Sequence, residues 1–111
     1  IQIGTSSGLV TSGYISSGAH AGAAESGAQS TAGFLIGNGG AIADKTVGIA
    51  TIQTLGGNVW ACQATCADGT ANFIKVGAGS ITLGAVLDRV RLSTTSGATF
   101  DHGSVNIAWE Y

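Results

Sequence analysis

The cleanest alternation in the chain lies at its end. Over residues 104–111, Val105, Ile107, Trp109 and Tyr111 fall on one side of an extended segment, and Ser104, Asn106, Ala108 and Glu110 on the other. That period of two predicts a strand. Upstream, TVGIATIQTL from Thr46 is rich in β-branched residues and ends at Gly56-Gly57, a two-residue turn that favours a hairpin. NVWACQATC is the returning strand, closed by the turn ADGT (67–70) with Asp68-Gly69 at its tip. NFIKV, SITL and LDRVRLST are further strand segments, separated by breaks at Gly77-Ala78-Gly79 and at Gly84, and TTSGATFDHG supplies the next turns. FLIG (34–37) reads as a short buried strand leading into the glycine turn GNGG (37–40). No segment shows a helical period. About seven to nine short strands, roughly ten residues apart, predict an all-β fold, a small antiparallel β-sandwich or jelly roll.

Residues 1–40 differ in texture, holding ten of the 19 glycines, and SSGAHAGAAESGAQSTAG (16–33) approaches low complexity. Glycine costs up to about 1 kcal/mol at an interior helical position, which argues against helix there. The stretch is either a mobile loop or a tight extended array of small residues. The 111 residues make one domain, with the main strand-rich core at 46–111.

Composition narrows the function classes. Gly, Ala, Ser and Thr together make 59 of 111 residues, and only 9% are charged, against about 25% in ordinary globular proteins. Ile, Val, Leu and Phe total 26, enough for one modest core. Four basic residues and a net charge of −2 leave no electrostatic footprint for nucleic acid or an anionic membrane. No apolar run reaches the roughly 18 residues that span a bilayer, and no signal-peptide pattern is present. The glycines lack a three-residue period and proline is absent, which excludes collagen. The chain starts at Ile1 and contains no Met, so it is expected to be a piece of a larger protein.

Several residues invite a chemical reading. Cys62 and Cys66 share a face of a continuous strand, where four residues span roughly 13 Å, beyond disulfide reach. They read as two small buried residues; a bridge requires the strand to break at Gln63–Thr65, and metal binding lacks histidines at ligand spacing. Asp101-His102 are adjacent, so in an extended segment their side chains diverge, and no GxSxG elbow supplies a nucleophile. They read as a turn before Gly103. Among Glu25, Asp44, Asp68, Asp88, Asp101 and Glu110 no spacing singles out a catalytic carboxylate pair. The sequence therefore predicts no enzyme, and it calls for no cofactor. Arg89 and Arg91 share a face opposite Val86, Val90 and Leu92. They are candidates for inter-subunit or inter-sheet ion pairs with Asp101 or Glu110, or for a solvated face. Trp60, placed opposite Gln53 by counting back from Gly56-Gly57, is a candidate sugar-stacking residue beside an amide, or a core anchor. Tyr14 is a weaker candidate of the same kind.

The run SITLGAVLDRVRLSTTSGATFDHGSVNIAWEY (80–111) resembles the C-terminal segment of many phage tail-fibre and tailspike proteins. Those end in a strand, an LxRVR/I strand, a TTxxG turn, an FDxG turn and a final xINIxYE strand. The matching residues here are Leu87, Arg89, Val90, Arg91, Thr94, Thr95, Gly97, Phe100, Asp101, Gly103, Val105, Asn106, Ile107 and Glu110. His102, Trp109 and Tyr111 depart from the pattern. The resemblance covers about 30 residues, and more loosely the preceding hairpin near Trp60. It implies a homotrimeric, β-rich tip domain on the virion, acting in host-surface recognition, usually of glycans, or in fibre trimerisation. The alternatives are a purely structural trimerisation or chaperone-like cap, and a capsid-decoration or surface-layer domain whose extended arm, residues 1–40, laces onto a lattice.

Overall fold

The computed structural model describes residues 1–22, 24–38, 45–69 and 72–110. Asp44, Gly39 and Gly40 of the glycine turn, Thr70 of the ADGT turn and the terminal Tyr111 lie outside them. The described chain is all-β, as expected, with eight strands in two antiparallel sheets. The strands are β1 (Gln2–Thr5), β2 (Gly8–Leu9), β3 (Ile15–Ala21), β4 (Ser26–Ser30), β5 (Thr46–Gly56), β6 (Val59–Asp68), β7 (Ile74–Thr82) and β8 (Arg89–Arg91). One sheet runs β2-β1-β8, the other β4-β3-β7-β6-β5.

The β5–β6 hairpin forms where the β-branched runs predict it, but its tip is displaced by one residue. Gly57 and Asn58 occupy the tip with φ of 57° and 62°, the pair of positive angles that lets a two-residue turn follow the strand twist. The register slips between Thr54 and Gly56, so Trp60 faces Thr54 and Gln53 faces Ala61. Gly77-Ala78-Gly79, expected to break a strand, lies in the middle of β7. The reason is steric. Residues 34–38 cross the inner face of the five-stranded sheet as a strap, and a Cβ at Gly77 would overlap the Leu35 carbonyl, while one at Gly18 would stand 2.8 Å from the Gly37 oxygen. The glycines here give a flat seat for a backbone, not a break. The strap is fastened by Leu35 N–H donating to Ser16 Oγ at 2.8 Å, and by a 2.8 Å contact between His20 Nδ1 and the Asn38 carbonyl oxygen. FLIG is therefore covered backbone outside both sheets, and Phe34 is buried as predicted.

The low-complexity stretch resolves into the tight extended array: β3 and β4 pair from Ser16–Ser30 to His20–Ser26. Strands β1 to β4, between Gln2 and Ser30, thus contribute to both sheets. The core gathers Ile3, Tyr14, Phe34, Cys62, Ile81 and Leu83, with Trp60, Ile52 and Leu87 packed against it. The largest departure lies at the C-terminus. Residues 104–110, with the clearest strand pattern, belong to no strand and are exposed throughout.

Candidate functional site

Strand alternation gives the five-stranded sheet two chemically different faces. Its inner face carries Cys62, Ala64, Cys66 and Asp68 of β6 and Lys75 and Gly77 of β7, all buried. Its outer face bears no charged side chain on any of the five strands. Reading across the register, one outer row runs Gln29, Ser17, Ala78, Gln63, Thr51. At about 4.8 Å per strand this row extends roughly 19 Å. The adjoining row runs Gly27, Ala19, Val76, Thr65, Ile49, and on the other flank Gln53 lies beside Ala61.

Two shallow grooves follow this surface. One is lined by Ser17, Ala19, Gln29, Val76 and Ala78 among others, and the other by Thr51, Gln53, Ala61, Gln63 and Ala78. They meet at Ala78, where the small side chain keeps the floor low between Gln29 and Gln63. Three exposed primary amides, a serine and a threonine therefore stand around a floor of Ala and Gly. Each amide offers two donors and an acceptor, so the surface is equipped for neutral hydroxyl-bearing ligands and carries no ion to pair with a charged one.

Of the sequence-stated ligand residues, Gln53 lies on this face, exposed. Trp60 and Tyr14 do not. Trp60 is half-buried on the inner side, across from Ile81 and Thr54, and packs on the core cluster. Its indole Nε1 is buried and has no hydrogen-bond acceptor among the described residues. Tyr14 is 1% exposed, edge-on to Phe34 with ring centroids 4.9 Å apart. Its hydroxyl accepts from Ile3 N–H at 2.8 Å and has the Ile3 and Val10 carbonyl oxygens at 3.1 Å. Trp60 lies inward because it alternates in phase with Cys62, Ala64 and Cys66 along β6, and the slipped register leaves Gln53 opposite Ala61 instead of Trp60. The Tyr14 hydroxyl is consumed in tying β1 to the core.

The arginines are placed differently from the expected pairs. Arg89 Nε donates to its neighbour Asp88 at 3.0 Å and Arg89 Nη2 to the Ser6 carbonyl at 3.3 Å. Arg91 donates through Nε to Gln2 Oε1 at 2.9 Å, across the β1–β8 pair. The carboxylate that meets an arginine is Asp88, because β8 pairs with β1 and carries the arginines away from the tail that holds Asp101 and Glu110. Those two are exposed, outside any strand.

Cys62 and Cys66 are free, buried thiols on an unbroken β6. Burial pushes both above the usual thiol range, with Lys75 pulling Cys66 the other way to a lesser degree. A neutral buried thiol is inert as nucleophile and as metal ligand. Among the described residues no group of three His, Cys, Asp or Glu side chains is assembled for a metal, and none of the described carboxylates forms a facing pair in either groove.

One element has no counterpart in the sequence reading. Lys75 and Asp68 are buried together, Nζ to Oδ2 at 2.6 Å, with Thr46 Oγ1 at 3.4 Å from Nζ. Asp68 is the last residue of β6 and points inward, not outward at a turn tip. A strand-parity count carried forward from Cys62 through Cys66 puts Asp68 on the buried face, a signal masked by the Asp-Gly turn pattern. No helix of the described chain is long and apolar enough to cross a membrane. No protein-family model, no curated protein and no solved structure matches this chain.

Proposed function

We propose that this chain is a non-catalytic C-terminal domain of a phage tail fibre or tailspike, one that recognises a host-surface glycan and assembles with copies of itself, as a trimer, on the virion. The single observation that carries the recognition half is the outer face of the five-stranded sheet, with its uncharged row of Gln29, Ser17, Gln63 and Thr51 set around Ala78. Carbohydrate is the ligand class that such a surface suits: amides and hydroxyls exchange water for sugar hydroxyls, and the apolar floor accepts C–H faces. Neutral sugars fit best, since the face offers no cation for an acidic residue. The C-terminal motif from Leu87 to Glu110 supports the fibre reading independently of this surface.

Adsorption to bacteria tests the proposal. The chain is incubated with a panel of strains before and after enzymatic or genetic removal of their surface polysaccharide. Retention on the intact surface of at least one strain, lost with the polysaccharide, is the expected result; retention unchanged by its removal overturns glycan recognition. A purely structural cap is the second reading, and the tail 92–110 favours it, since that tail forms no strand of either sheet in its own chain.

A further inference from the structure

After β8 the chain runs on through residues 92–110 without joining either sheet. Val105 and Ile107 are 66% and 72% exposed. Their alternation with Ser104, Asn106 and Ala108 is that of a strand with one apolar side, yet no ladder receives it.

The same chain carries an edge that needs covering. β5 ends the five-stranded sheet, is 11 residues long, and has no charge and no proline from Thr46 to Gly56. Natural edges are normally shortened, charged, bulged or covered, because their open N–H and C=O groups template pairing with another chain. Here the one irregularity, at Thr54/Gly56, lies at the hairpin end and leaves the rest of the edge straight. Val47 and Ile49 stand exposed on its outer face, and Gly48 and Ala50 are exposed on its inner one, so the smaller sheet does not reach it. The chain as a whole exposes 7444 Å², whereas a compact monomer of this mass exposes roughly 5,600 Å². The excess, about 1,800 Å² on one chain, exceeds the roughly 800 Å² that each partner contributes to a stable protein interface.

We propose that residues 104–110 of one copy add to the β5 edge of a second copy as a sixth, antiparallel strand, with Ile107 opposite Ile49. Three features select this register. Ile107 opposite Ile49 also sets residue 109 beside Val47, so the apolar side of the tail meets the exposed apolar pair of β5, with Val105 beside the β-branched Thr51. Seven residues fit within the length of the edge, ending at Thr46. Antiparallel addition brings Glu110 to the end of β5 that Lys45 precedes, while parallel addition carries it toward Gly56 and no cation. The inference rests on the self-assembly half of the function proposed above and is independent of what the assembly binds.

The test uses full-length chains. In the double variant Ile49→Cys/Ile107→Cys, mild oxidation is expected to link chains into multimers on a non-reducing gel, while each single variant stays largely unlinked. Cys62 and Cys66, 3% and 6% exposed, do not compete. In parallel, Ile107→Asp, a change at an exposed position that leaves the sheets intact, is expected to weaken assembly at least tenfold by light scattering across a dilution series. A parent chain that is monomeric at all concentrations overturns both this inference and the self-assembly reading. An assembled parent whose mass Ile107→Asp leaves unchanged overturns the inference alone. A disulfide formed within single chains overturns it too, placing the tail on its own β5.

Discussion

Lys75 and Asp68 meet at 2.6 Å inside the molecule, their side chains 6% and 0% exposed. The chain has only four basic and six acidic residues, so placing one of each in the core is a large commitment of its charge. The aliphatic part of Lys75 runs under the strap, where its Cβ would stand 2.7 Å from a side chain at Gly37. Breaking such a pair leaves an uncompensated buried charge, a loss of about 3–5 kcal/mol, whereas exchanging both partners for apolar residues is often neutral. Asp68→Ala is therefore expected to cost several kcal/mol in urea unfolding, and Lys75→Met/Asp68→Leu to recover most of it. A double variant as unstable as Asp68→Ala would show that the pair itself, and not the orphaned lysine, sets the stability.

Tyr14 ties β1 to the sandwich through Ile3. Tyr14→Phe keeps the edge contact with Phe34 but leaves the Ile3 amide without its acceptor, and a loss of about 1–3 kcal/mol follows. Adsorption to cells is expected to be unchanged once the variant is folded. A selective loss of adsorption with stability intact would return Tyr14 to the ligand surface.

Trp60 makes the opposite prediction. Its Nε1–H is buried without a described acceptor, so Trp60→Phe removes a desolvated donor while keeping an aromatic on the core. Stability is expected to fall by no more than about 1 kcal/mol or to rise, since deleting an unsatisfied polar group offsets lost area. Thermal melts of the two chains settle the sign.

The thiols predict a pH dependence. An unfolded chain ionises its cysteines from about pH 8.5, while burial keeps Cys62 and Cys66 protonated in the folded state to higher pH. In that window the folded state binds more protons, so stability is fully present below about pH 8 and falls as pH rises. Each thiol contributes a slope of up to about 1.4 kcal/mol per pH unit until its folded value is passed. Urea midpoints taken between pH 7.5 and 9.5 are expected to decline in the parent and to decline less steeply in Cys62→Ala/Cys66→Ala. Parallel curves would contradict the burial of the thiols.

The β5–β6 hairpin was legible in the sequence, because β-branched runs and glycine turns act locally: β5, β6 and their turn lie within two residues of where the pattern puts them. What local pattern does not carry is what passes over a strand. Gly77 and Gly79 read as punctuation until the fold shows what their missing side chains make room for, Leu35 and Ile36 of the strap over Gly77 and Ile15 and Ser16 of β3 beside Gly79. The site was half legible for the same reason. Gln53 was recognised, but Gln29 and Gln63 join it only through the register of β3, β7 and β6, which brings together residues 34 positions apart. At the tail the alternation was readable, yet residues 104–110 belong to neither sheet of the described chain.

The measurement that bears most directly on the account is adsorption by Gln63→Glu. The change keeps the size of a side chain at the centre of the outer row, exposed and away from the core, and converts a donor-bearing amide into a charged acceptor. Folding, assembly mass and thermal stability are expected to match the parent, with affinity for polysaccharide-bearing cells reduced roughly tenfold or more, as a lost hydrogen bond of about 1.5 kcal/mol implies. A folded Gln63→Glu chain that adsorbs as tightly as the parent would contradict recognition through this face.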